Sequence, residues 1–221
     1  MVLELAEVAG LINQDDSVLA AVLTGNGNTF SAGWGGFRIH DYADLSRFQA
    51  AAQIAQIQKP VIASVNGDAI GQGLELLLST DIRITSNTSH FGMPQISYGL
   101  LPWDGGSQRL PRIVGKAYAT EMLLTGNIID ADEALRRGLV SSVVGKSQLA
   151  DSVNQTVNQV VANAPLALMY AKEALMVGMD LSLGQSLRLE ADLNILLHAT
   201  KDRAKGIQAF LQKRPVTFLG E

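Results

Sequence analysis

An apolar run, Pro60-Val61-Ile62-Ala63-Ser64-Val65, enters a segment with three glycines, Asn66-Gly67-Asp68-Ala69-Ile70-Gly71-Gln72-Gly73, and leaves it on a second apolar run, Leu74-Glu75-Leu76-Leu77-Leu78. This pattern predicts a buried strand, a tight turn and a helix. Glycines at such a junction let a ligand approach the backbone, and the unpaired N–H groups of the new helix point at it. A helix start can therefore bind a carbonyl oxygen that becomes negative during a reaction. Glu75, one turn into the helix, is placed to move a proton on the same carbon skeleton. The same glutamate also fits a simpler role, as a dipole partner or half of a capping box.

A second glycine-rich segment lies upstream: Ala20-Ala21-Val22-Leu23-Thr24-Gly25-Asn26-Gly27-Asn28-Thr29-Phe30-Ser31-Ala32-Gly33-Trp34-Gly35-Gly36. A strand ends at Thr24-Gly25 and a second glycine cluster opens around Gly33. Two glycine-lined loops, each after a buried strand, can supply one backbone donor apiece to a single oxyanion. Together these segments resemble the crotonase (enoyl-CoA hydratase/isomerase) superfamily, with its patterns VLTGxGxxFxAGxD and NGxAxGGGxEL. The likeness continues through Phe91-Gly92-Met93-Pro94-Gln95, the run from Gly105 to Gly115 (Gly-Gly-Ser-Gln-Arg-Leu-Pro-Arg-Ile-Val-Gly), Leu124-Thr125-Gly126 and Ala131-Asp132-Glu133-Ala134. It ends at Gly138-Leu139-Val140 and Gly206-Ile207-Gln208-Ala209-Phe210-Leu211-Gln212-Lys213-Arg214.

The resemblance implies a spiral of strand–strand–helix units in an α/β core, followed by a C-terminal all-helical oligomerisation region. It implies a coenzyme A thioester as substrate, with no covalently bound cofactor and no metal, whose carbonyl sits between the backbone N–H groups of Trp34 and Gln72. Gln72 stands where the family mostly has glycine, which brings a Cβ and a polar arm into a crowded turn and implies a changed acyl pocket or some strain. Ser31, Ala32, Gly36, Phe210 and Lys213 match coenzyme A-binding positions, the last two reaching a neighbouring subunit's ligand. Lys213-Arg214 also fits a solvated helix end, and Trp34 a space-filling core aromatic.

Family hydratases use two glutamates. The first maps to Glu75 and the second to Gln95, which can orient water but cannot exchange a proton near neutral pH. Asp104 is the candidate replacement: buried beside Trp103 its pKa would rise, making it a proton donor to the acyl chain. Its other reading is a turn or helix N-cap before Gly105-Gly106. The expected reaction is hydration of an enoyl-CoA, or its reverse, in fatty acid metabolism. Alternatives are cyclic dienoyl-CoA hydration, isomerisation, decarboxylation, C–C hydrolysis, or acyl-CoA binding without catalysis.

Composition sets the outer bounds. At 221 residues with 47% hydrophobic and 17% charged, the chain has the make-up of a globular domain with a large core. A formal charge of −4 argues against nonspecific nucleic-acid binding. No cysteine is present, and no apolar run approaches a membrane span or a signal sequence, so a cytoplasmic location is expected. His40, His90 and His198 lie outside the family's catalytic positions, and no spacing suggests a metal site.

Apolar spacing predicts a helix over 1–13, a strand over 17–23, a helix over 45–57, strands near 82–85 and 91, helices over 117–124 and 131–136, and a strand over 139–144. Four helices follow, over 147–162, 165–177, 182–198 and 201–212. The expected division is an α/β core over 1–146 and a helical region over 147–221. The family pattern also has a pair of strands before the helix that begins here at Met1, and this sequence has no counterpart for them. Leucines and isoleucines at 181, 183, 187, 193 and 195–197 exceed what one helical layer hides, which with the resemblance implies a trimer or a hexamer.

Overall fold

The computed structural model describes residues 1–31, 33 and 47–221. Among them the chain runs α1 (Val2–Gln14), β1 (Ala21–Thr24), β2 (Thr29–Ser31), α2 (Ala50–Ile54), β3 (Val61–Val65), β4 (Asp68–Ile70), α3 (Gln72–Leu78), β5 (Ile82–Ser86) and β6 (His90–Gly92). A 3-10 turn over Pro94–Tyr98 leads to α4 (Gly106–Val114), α5 (Lys116–Thr125), β7 (Ile128–Asp130), α6 (Ala131–Arg136) and β8 (Ser142–Val144). Four helices close the chain: α7 (Leu149–Val161), α8 (Pro165–Gly178), α9 (Leu183–His198) and α10 (Lys201–Leu211).

From β1 to β6, successive strands alternate between two sheets. One has the order β1-β3-β5-β8 and the other β2-β4-β6-β7. Each turn of the chain lays one strand in each sheet, and helices connect the turns, which is the spiral of strand–strand–helix units. Ile62 pairs with Ile82 and Val65 with Thr85 in one sheet, and Ala69 with Phe91 in the other, all in parallel, while β7 runs antiparallel against β6. Every residue of β3 is buried, as expected for a strand covered on both faces. Ile62, Ala63, Leu74, Leu77 and Phe91 are at 0% exposure and form the centre of this core.

The chain divides into two compact units. One comprises Met1–Leu11, Val22–Ile57 and Val61–Asn154; the other comprises Ile12–Ala21, Gln58–Pro60 and Gln155–Glu221. Within the second, Lys59 donates through its amine to the Asp15 carbonyl, and Lys172 Nζ donates to the Lys59 carbonyl at 3.0 Å. Asp202 pins the C-terminus by accepting from Leu219 N–H (3.0 Å) and Gly220 N–H (2.7 Å).

Local structure differs from these expectations in several places. Residues 17–20 are not strand, because Asp15 Oδ1 accepts from both the N–H (2.9 Å) and the hydroxyl (2.6 Å) of Ser17 and folds the chain into a turn. The helix expected over 45–57 is confined, among the described residues, to α2, and residues 45–46 lie outside them. The helix expected over 117–124 is α5, and a further helix that the spacing does not show, α4, precedes it; Gly105 at φ 103° caps α4, and Pro111 lies inside it. Among the described residues, no single helix is long and apolar enough to cross a membrane, and no cluster of His, Cys, Asp and Glu could hold a metal ion.

Candidate active site

Helix α3 starts at Gly71, whose φ of 60° and ψ of −122° suit only glycine, and everything from Gly73 to Leu78 is buried. The first intrahelical bonds run from the N–H groups of Leu74 (3.0 Å) and Glu75 (3.2 Å) to the Gly71 carbonyl. Gln72 is the first helical residue, so its N–H has no acceptor within the helix. The upstream glycine loop comes to the same place. A Cβ on Gly33, itself at φ 76°, would stand 2.6 Å from the Ile70 carbonyl and 3.3 Å from the Gln72 nitrogen. A Cβ on Gly73 would stand 2.4 Å from the Ser31 carbonyl, so β2 lies directly against the start of α3.

Glu75 therefore enters an apolar interior, and its carboxylate needs dedicated partners. Oε1 accepts from the backbone N–H of Asp104 at 2.7 Å and of Gly106 at 2.9 Å. Oε2 faces Gln95, whose Nε2 lies 3.5 Å away. Burial pushes the Glu75 carboxyl up to about 7; the two N–H groups and the Arg109 guanidinium oppose the shift, and the nearby Asp104 carboxylate adds to it. A carboxyl poised near neutrality can both accept and return a proton.

Gln95 is 6% exposed, and its Oε1 is buried with no partner among the described residues. A Cβ on Gly71 would sit 3.8 Å from Gln95 Nε2, so the Gln95 amide, the helix start and Glu75 Oε2 share one small space. Asp104 is 3% exposed, yet its carboxylate is bound to the backbone: Oδ2 accepts from Ala51 N–H at 2.6 Å and Oδ1 from Ala52 N–H at 3.1 Å. It caps a helix, though α2 and not the α4 that follows it in sequence. Burial raises its pKa, and the two N–H groups, Arg109 and the Gln72 amide oppose that rise. The long arm of Gln72 donates to the Phe48 carbonyl, folding back onto the segment before α2.

Glu75, Gln95, Asp104, Gln72 and Ser31 thus belong to one unit, while Phe210 and Lys213 belong to the other. Phe210 is 83% exposed at the end of α10, and Lys213, at φ 51°, ends that helix. Ala32, Trp34, Gly36 and His40 lie outside the described residues. The Asp104 and Gly106 N–H donors went unread in the sequence; the Gly105-Gly106 pair was their only signal.

The enoyl-CoA hydratase/isomerase family model matches residues 1–221. The chain belongs to this family, within the crotonase superfamily. A crotonyl-CoA hydratase of Syntrophomonas wolfei is 36% identical over 227 residues, covering 99% of this chain and 87% of that protein. A 2,3-dehydroadipyl-CoA hydratase of Escherichia coli is 39% identical over 214 residues, covering 93% and 83%. The crystal structure of an enoyl-CoA hydratase from Bacillus anthracis matches with a TM-score of 0.95 at 33% identity, covering 100% of this chain and 88% of that one.

Proposed function

We propose that the protein is an acyl-CoA enzyme that hydrates an enoyl-CoA thioester, or dehydrates the 3-hydroxyacyl product. The observation that carries this reading is Glu75: buried, raised to about 7, and fixed through Oε1 beside the first turn of α3. The thioester carbonyl accepts from the Gln72 N–H and from a donor of the neighbouring glycine loop, read as Trp34. Both donors strengthen as the oxygen becomes an enolate.

With a single ionisable carboxylate at the pair of positions, one group handles both transfers. Ionised Glu75 takes a proton from water at Oε2 as the water oxygen bonds to the β-carbon and the double-bond electrons move onto the thioester oxygen. The resulting carboxylic acid then returns that proton to the α-carbon, and the carbonyl re-forms. Water's second hydrogen stays on the new hydroxyl. Gln95 Oε1, buried and unpartnered among the described residues, accepts from the water and orients it.

Coenzyme A is read as part of the substrate, held by Ser31, Ala32 and Gly36 and by Phe210 and Lys213 of a neighbouring copy in a trimer or hexamer, in the cytoplasm. The relatives named for crotonyl-CoA and 2,3-dehydroadipyl-CoA support the reaction class. Assay of the purified protein against a panel of enoyl-CoA thioesters tests it, with Glu75→Gln as control. Turnover in that variant equal to the native protein's overturns the role of Glu75. Tight binding of an unreactive acyl-CoA without turnover favours a second reading, acyl-CoA binding alone, which the replacement of the second glutamate by Gln95 supports.

A further inference from the structure

The turn from Trp103 to Gly106 is anchored from several sides. Its N–H groups at Asp104 and Gly106 donate to Glu75 Oε1, and the Asp104 carbonyl accepts from Arg109 Nη1 at 2.7 Å. Gly105, at φ 103°, leaves room for that guanidinium: a Cβ there would stand 2.3 Å from Arg109 Nη1. The Asp104 carboxylate points elsewhere, onto the N–H groups of Ala51 and Ala52 at 2.6 and 3.1 Å. These open α2, whose own N-cap residue, Gln49, makes no side-chain cap bond. Gln49 instead reaches back, its Nε2 donating to the Trp103 carbonyl at 3.2 Å.

We propose that Asp104 is a positioning residue for Glu75: by capping α2 it locks the Asp104–Gly106 turn with both N–H groups on Glu75 Oε1, leaving Oε2 to exchange protons. This deepens the reading of Glu75 given above and rests on it. Both carboxylate oxygens of Asp104 are occupied by backbone donors, which suits an anchor and not a proton donor. The charged groups near it are Glu75 of α3 and Arg109 of α4, and the Gln72 amide stabilises its ionised form. Released from α2, the glycine-containing turn would be free to rotate its N–H groups off Oε1. Glu75 would then lose its fixed orientation, and misplacement of a catalytic group by about 1 Å costs up to roughly 100-fold in rate.

The test compares Asp104→Ala and Asp104→Asn with the native protein by amide hydrogen exchange and enoyl-CoA turnover. In Asp104→Ala, exchange should quicken at Ala51, Ala52, Asp104 and Gly106. Turnover (kcat) should fall roughly 10- to 100-fold with little change in KM. Asp104→Asn keeps one acceptor, so it should restore part of the protection and most of kcat, with a pH profile of native shape. Two results overturn the proposal: native exchange and native kcat in Asp104→Ala, or an Asp104→Asn variant as inactive as Glu75→Gln while those amides keep native protection. The second would make Asp104 itself the proton donor. Should the native protein turn over no enoyl-CoA, the proposed reaction fails, and exchange at Asp104 and Gly106 still decides whether the clamp exists. Should Asp104→Ala not fold, Asp104→Asn carries the comparison.

Discussion

Glu75 sits in a helix with no polar face, so its protonation is tied to folding. Its folded pKa, about 7, lies above the ordinary 4.5. The folded protein therefore holds a proton between those values that the unfolded chain has lost. The stability this contributes is present below 4.5 and lost as pH rises through about 7, and the shift corresponds to about 3 kcal/mol. Glu75→Gln keeps an oxygen for the Asp104 and Gly106 N–H groups and removes the titration. Its melting temperature should fall less than the native protein's between about pH 5 and pH 8, which calorimetry checks. Its turnover should fall by roughly 100- to 10,000-fold.

Gln95 gives a second prediction at the same scale. With one carboxylate, the rate should rise with pH through about 7, in a single step, as Glu75 ionises. Gln95→Glu places a second carboxyl about where the amide lies, 3.5 Å from Oε2. Two like charges that close cannot both form readily, so the pair should titrate in two macroscopic steps and the profile should become bell-shaped. A profile still of one step would show that the new carboxyl does not couple to Glu75. These side chains could be read from the sequence because their chemistry is in the residue type. The N–H groups that hold Glu75 and Asp104 could not, since every residue but proline carries one and only the fold selects which of them converge.

At the scale of elements, the site depends on how closely two loops approach the start of α3. Gly33→Ala puts a methyl group 2.6 Å from the Ile70 carbonyl at a φ of 76°, against backbone that cannot rotate away. It should cost about 1–3 kcal/mol, read by denaturant unfolding, and lower turnover more than binding by displacing the loop from Gln72. The strand–turn–helix over 60–78 was legible because a wholly apolar strand and a glycine turn are both strong signals. Strands β2, β4 and β7 have three residues each, less than two periods of alternation, and could not be read by period. Helix α4 was masked by Gly105-Gly106 at its start and Pro111 within it, residues that in isolation argue against a helix.

At the scale of the molecule, the second unit carries many exposed apolar side chains. Leu175, Met176, Met179, Leu183, Leu187, Ile195 and Leu196 are all exposed, Leu183 at 75%. That Ser182 and Gln185 form a capping box at the head of α9 argues that this helix is well formed, so the exposure is not a frayed end. Large apolar side chains left exposed along a formed helix are the ordinary mark of association. Leu183 and Leu187, one turn apart on α9, lie on one face, and a charge at each would have to be desolvated in any interface there. Light scattering coupled to size exclusion should find a trimer or hexamer for the native protein. The double substitution Leu183→Asp with Leu187→Asp should shift it toward monomer while helical circular dichroism is retained. If Phe210 and Lys213 complete a neighbour's coenzyme A site, that variant should also bind acyl-CoA more weakly, and dilution of the native protein should weaken binding in step with dissociation. A native monomer at micromolar concentration that binds acyl-CoA at full strength would separate the two residues from the cofactor site.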